Sequence, residues 1–200
     1  MYHQFGGLDL YPVHDSTVQQ NWKGVGKWDI MASGNWNGNG VWPAVPTSPS
    51  RETLGVFWHR NVVLEWLDNS SCSGPEIEME GISESGYGLK IRISDEEFIW
   101  VELRSDSGYD SRLPGHGILV LQQDLRSGDP DNNLVNSHPE RPWLRVIEAD
   151  GAQDMVHGKN EGTSSDLFQN GTQFGAEGIQ IRNRDGILVD WTANVSVVNG

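Results

Sequence analysis

The stretches FIWVELR (98–104) and GILVLQQ (117–123) decide the fold. Each is a short run rich in apolar and β-branched residues, and the turn signals DSGYDS (106–111) and LPGHG (113–117) lie between them, so both read as strands. The same pattern recurs outward. IEMEGI (77–82) and YGLKIRI (87–93) come before; WLRVIEA (143–149), IQIRNR (179–184) and ILVDWTANVSVV (187–198) come after, with SGYGL, SGDPDNN and RDG as further turns. Seven strand candidates in succession predict an antiparallel sandwich or barrel.

The first third reads differently. Residues 19–49 carry Gly at 24, 26, 34, 38 and 40 and Pro at 43, 46 and 49, too many breakers for regular structure. A long ordered loop is expected there, held by burial of Trp22, Trp28, Trp36 and Trp42. A helix is expected from Pro49 or Ser50, with Leu54, Phe57, Trp58 and Val62 on one apolar face. The change of pattern places a boundary near Asp68 to Pro75.

Composition narrows the function classes. The 200 residues hold 14 Lys plus Arg against 28 Asp plus Glu, a net charge of −14 that repels phosphate backbones and argues against a nucleic-acid partner. No apolar run approaches the roughly 20 residues of a membrane span. Cys72 is the only cysteine, which excludes an internal disulfide framework and a multi-thiolate zinc site. The start, MYHQFGGLDL, lacks the basic and apolar regions of a signal peptide.

His3, Gly6 and Asp9 stand in the spacing H-x-x-G-x-x-D, the second half of the extended zinc-protease motif H-E-x-x-H-x-x-G-x-x-[H or D]. In that pattern two histidines four apart share a helical face, and the glycine adopts positive φ and turns the chain back. A third ligand then reaches the same metal, and the fourth position stays open for water. WDIMASG (28–34) follows, and Met31 suits the tight turn whose thioether floors such a site.

Through DLY (9–11) and WDIMASG (28–34) the chain resembles the immune inhibitor A family of secreted bacterial zinc metallopeptidases. The similarity continues through NWNG (35–38), EWL (65–67), VELRSDSGYDSRLPGHGILVLQQD (101–124), VIEADG (146–151) and SDLF (165–168). The resemblance implies an α+β, mostly β chain. Residues 1–67 would be the C-terminal part of a metzincin-like catalytic domain and 68–200 an antiparallel β-sandwich-like region. It also implies zinc, structural calcium, an extended peptide or protein substrate and an extracellular location. The first zinc histidine and the general-base glutamate of the motif would fall before Met1, so this chain alone is expected to be inactive and to hold zinc only weakly through His3 and Asp9. The family's W-H-x-D after L-P-G-x-G is here Leu121, Gln122, Gln123 and Asp124.

Asp129, Asp131, Asn133 and Glu140 occupy places 1, 3, 5 and 12 of a calcium-loop pattern, although Leu134 stands where that loop needs glycine. The other reading is an acidic hairpin tip whose Asp and Asn residues cap turns. Asp106, Asp110, Asp150, Asp154 and Asp166 carry the same two readings. His14, His59, His116, His138 and His157 show no mutual metal spacing, and Asn69, Asn170 and Asn194 begin glycosylation sequons. The alternative function is a non-catalytic β-sandwich module that binds carbohydrate or protein through exposed aromatics.

Overall fold

The central strands pair as the sequence suggests. Five strands, β1 (Asn61–Leu64), β2 (Gly88–Arg92), β3 (Glu97–Arg104), β4 (Gly117–Asp124) and β5 (Leu144–Val146), form one sheet in that order. β1 and β2 are parallel and the other pairs antiparallel. A second sheet places β6 (Gln173–Gly175) between β7 (Ile179–Gln180) and β8 (Thr192–Asn194). The structure is a computed structural model that describes residues 2–13, 22–56, 61–64, 74–86 and 88–196, with 61–64 described by backbone alone. It is a mixed chain with more strand than helix and mostly antiparallel pairing.

β3 and β4 are nearly continuously apolar because the sheet is covered on both faces. Successive side chains of a strand point to opposite faces. Trp100, Leu119 and Leu121 therefore meet Trp28, Met31, Ala44 and Trp143. Ile99, Val101 and Val120 point the other way, against Phe168, Phe174 and Ile181. The register puts Trp100 opposite Leu121, and the Trp100 indole N–H donates to Gln123 Oε1 at 2.9 Å on the same face.

Before the expected boundary, β1 joins the sheet itself, and the residues ahead of it supply one cover of the sheet. Leu10, Val25, Trp28, Met31 and Ala44 share a hydrophobic cluster with Leu119, Leu121, Trp143 and Leu144. Residues 67 and 68 themselves lie outside the described residues, as do EWL, Phe57, Trp58, His14, His59, Asn69 and Cys72.

Three expectations are corrected and one strand was not foreseen. The helix α1 (Ser48–Thr53) is shorter than its apolar spacing predicts: Gly55 takes a left-handed φ of +66°, which stops the helix, and Val62 belongs to β1. IEMEGI forms no strand; Ile77 and Met79 pack on the core without pairing, Gly81 makes a single bridge to Leu103, and Ile82 opens the short α2 (Ile82–Ser85). β6 comes from QFG, three residues too few to signal a strand, and is anchored by Phe174 against Phe168 and Trp191. Trp22 and Trp28 are fully buried, whereas Trp36 is 74% and Trp42 41% exposed. Left-handed backbone at Gly38, Asn39 and Gly40 carries that stretch to the surface, where Trp42 meets the exposed Tyr109 edge-on at 6.3 Å. Among the described residues no helix is long and apolar enough to cross a membrane.

Candidate metal centre

His3 lies in a 3-10 turn, Tyr2–Phe5, and Gly6 at φ +89° reverses the chain after it. A side chain at that φ would be strained, so the turn requires glycine. Gly7 is closely packed: a Cβ there would lie 3.0 Å from the Tyr2 carbonyl oxygen and 3.1 Å from the Met31 methyl. The reversal brings Asp9 back onto the imidazole, with His3 Nε2 3.2 Å from Asp9 Oδ1. The three residues singled out by spacing are therefore close together. His3 is exposed on one side, Asp9 is largely buried, and the buried Met31 lies beneath Gly7.

The pairing geometry is informative. His3 Nδ1 sits 3.0 Å from the Gly7 carbonyl oxygen, which accepts its proton and leaves the Nε2 lone pair facing the carboxylate. Two lone-pair donors that close need a cation between them, either a proton on the ring or a metal ion. Bonds of about 2.0–2.2 Å at a tetrahedral angle place two zinc ligands about 3.3–3.5 Å apart. The observed 3.2 Å lies just below that edge and at the long end of an N–H···O hydrogen bond, about 2.7–3.2 Å, so the two groups are close enough to share either cation. Orientation of a ligating histidine through its second N–H to a backbone carbonyl is also the usual arrangement around zinc. The pair opens into a concavity of about 480 Å³ walled by Gly6, Gly7, Leu8, Pro130 and Asn133. The nearby Tyr11 hydroxyl is pushed up by partial burial, then by the charge and hydrogen bonding of Asp9.

The Met31 turn is built on buried polar contacts. Asp29 Oδ1 accepts the Met31 N–H at 2.7 Å, and Oδ2 accepts the Thr47 N–H, the Thr47 hydroxyl and the Ser50 hydroxyl, each at 2.7 Å. Leu10 N–H donates to the Met31 carbonyl at 3.0 Å, tying the residue after Asp9 to the turn. Beneath lies Arg104, fully buried, paired with Glu102 at 2.6 Å and Asp110 at 3.2 Å and donating to the Trp28 carbonyl at 2.9 Å. Sequence reading missed this ion cluster. Its signal was present in VELR, where the two-residue period puts Glu102 and Arg104 on the same face as Trp100.

The calcium set is not gathered. Asp129 accepts from Asn132, Asn133 turns to Asp9, Glu140 lies 3.9 Å from His138, and Asp131 is exposed. Asp129, Asn133 and Glu140 are thus each turned to a separate partner rather than to a common point. Among the described residues no three His, Cys, Asp or Glu side chains are grouped to hold a metal. Of the other loop carboxylates, Asp166 closes a capping box with Thr163 and accepts from the Trp28 indole, Asp150 accepts from Ala152 N–H, Asp154 pairs with Lys159, and Asp106 is exposed. Gln122, where the resembled family has histidine, accepts from Arg145 and donates to the Arg182 carbonyl.

Burial raises the carboxyl groups of Asp29, Asp110, Glu148 and Asp166 above their usual values of 3.8 for Asp and 4.5 for Glu. A carboxyl raised on folding is ionised in both states at high pH, where only the folded state bears its desolvation. Its contribution is full below the unfolded value and is lost as pH rises through the folded one. Relief of repulsion within a chain of net charge −14 acts in the same direction. The urea midpoint is therefore expected to be higher at pH 5 than at pH 7.5, as measured by tryptophan fluorescence; a lower midpoint at pH 5 would refute the assignment.

No protein-family model matches the chain, and no curated protein or solved structure matches it.

Proposed function

We propose that His3 and Asp9 are two of the three protein ligands of a zinc endopeptidase site and that Met31 floors it, in the manner of the immune inhibitor A-like metallopeptidases that the sequence resembles. The observation that carries this is the meeting of His3 Nε2 and Asp9 Oδ1 at 3.2 Å, with the Met31 methyl against the intervening Gly7. In such a site zinc supplies Lewis acidity that activates water and polarises the scissile carbonyl of an extended peptide. This chain's own residues orient and hold. Gly7 fixes the imidazole tautomer through its carbonyl, and Asp9 supplies negative charge to a cation in the concavity. A histidine four residues and a glutamate three residues before His3 would complete the ligand set and supply the general base.

Two ligands without that glutamate hold zinc weakly and hydrolyse nothing. The chain as given is expected to show no chelator-sensitive cleavage of casein. A version extended upstream by a helix carrying His and Glu at those places is expected to gain it and to lose it again on His3→Ala. Cleavage by the extended version that is indifferent to His3→Ala would overturn the reading.

The exposed Trp36, Trp42 and Tyr109 favour a second reading, a module that binds neutral carbohydrate, since the stretch 33–46 holds no charged residue and alternates asparagine with tryptophan in sequence. Retention on an insoluble polysaccharide that Trp36→Ala removes would support it, and retention unaffected by that change would count against it.

A further inference from the structure

Asn133 contacts Asp9 across 124 positions of sequence, and its amide engages that residue twice. Its Nδ2 donates to Asp9 Oδ2 at 2.7 Å, and its Oδ1 accepts the Asp9 backbone N–H at 2.7 Å. The clasp occupies one carboxylate oxygen and leaves Oδ1 to face His3. Asn133 is itself held at φ +57°, a left-handed conformation that asparagine tolerates better than most residues. It sits in a closed turn, in which Asp129 and Leu134 exchange backbone hydrogen bonds and Asn133 N–H donates to the Pro130 carbonyl. The turn is anchored by the buried Val135 and by Asn136, whose amide donates to the Leu10 carbonyl, so one loop holds residues 9 and 10 together.

We infer that Asn133 is a positioning residue for a metal at His3 and Asp9: its amide orients the Asp9 carboxylate so that a single oxygen is presented to a divalent cation in the concavity. The inference rests on the zinc reading above. A neutral amide suits the task. It donates to the carboxylate without neutralising it, whereas a lysine or arginine there would compete with the cation for its charge.

The experiment is a zinc chloride titration of the full chain near neutral pH, followed at the His3 ring resonances by NMR, for the wild type, Asn133→Gly and Asn132→Gly. Glycine accepts the left-handed backbone, so Asn133→Gly removes the amide with little strain. Asn132→Gly loosens the same turn, since Asn132 bonds only Asp129 there, without touching Asp9. The expected result is a dissociation constant about tenfold or more higher for Asn133→Gly, in the range of lost outer-shell partners, with Asn132→Gly like the wild type. Where Asn133→Gly does not fold, Asn133→Ser, too short to reach Asp9, gives the same readout. Equal weakening by both glycine variants, or none by Asn133→Gly, overturns the positioning role. A wild-type His3 ring that does not respond to zinc overturns the zinc reading itself.

Discussion

Arg104→Ala is expected to destabilise the fold by about 3–5 kcal/mol, the cost of removing one partner from a buried ion pair. The guanidinium is fully buried and serves Glu102, Asp110 and the Trp28 carbonyl at once. Without it two carboxylates remain in the interior without their bonded partner, and of the charge near them the Arg51 guanidinium is left. Domain stabilities run about 5–15 kcal/mol, so a loss of this size removes a large fraction of the total. The same substitution combined with Glu102→Gln and Asp110→Asn is expected to recover most of the loss, because a buried cluster without charges lacks the desolvation penalty. Urea denaturation of the single and triple variants checks both statements. A single variant within 1 kcal/mol of wild type, on the scale of ordinary surface substitutions, would show that Arg104 is not the bridge described.

Asp29→Ala should be nearly as severe. It strands the Met31 and Thr47 backbone N–H groups in the interior, and each buried unmet donor costs about 1–3 kcal/mol. A loss of about 2–6 kcal/mol is therefore expected. Asp29→Asn discriminates shape from acceptor count: it keeps the volume, but its NH2 must face either the Met31 N–H or the three donors at Oδ2, so it should rescue only part of the loss. Full rescue by asparagine would mean that packing, not hydrogen bonding, holds the turn. Because that turn places the Met31 methyl beneath Gly7, folded Asp29 variants should also bind zinc more weakly at His3.

Local patterns made much of this architecture legible. FIWVELR and GILVLQQ became β3 and β4 because apolar runs bounded by turns have few other solutions. Spacing alone brought His3, Gly6 and Asp9 into consideration, because a positive-φ glycine between two polar residues is a local device. What stayed hidden depends on distant partners. Asn133 reads as one place in an acidic loop until the fold lays that loop against Asp9. Val62 fits a helical spacing with Leu54, yet pairing with Leu89 in β2 puts it in a strand. Trp36 and Trp42 look as buriable as Trp22 and Trp28, yet they flank a left-handed turn at 38–40 and are exposed. The covering of the sheet by residues 22–50 likewise has no local signature, since it is settled by which face of β3 carries Trp100, Glu102 and Arg104.

The most direct test is anomalous scattering at the zinc edge from crystals of the chain soaked in zinc. The account predicts a peak about 2.0–2.2 Å from both His3 Nε2 and Asp9 Oδ1. A saturated crystal with zinc only at other histidines, and with His3 and Asp9 still bonded directly to each other, would contradict it.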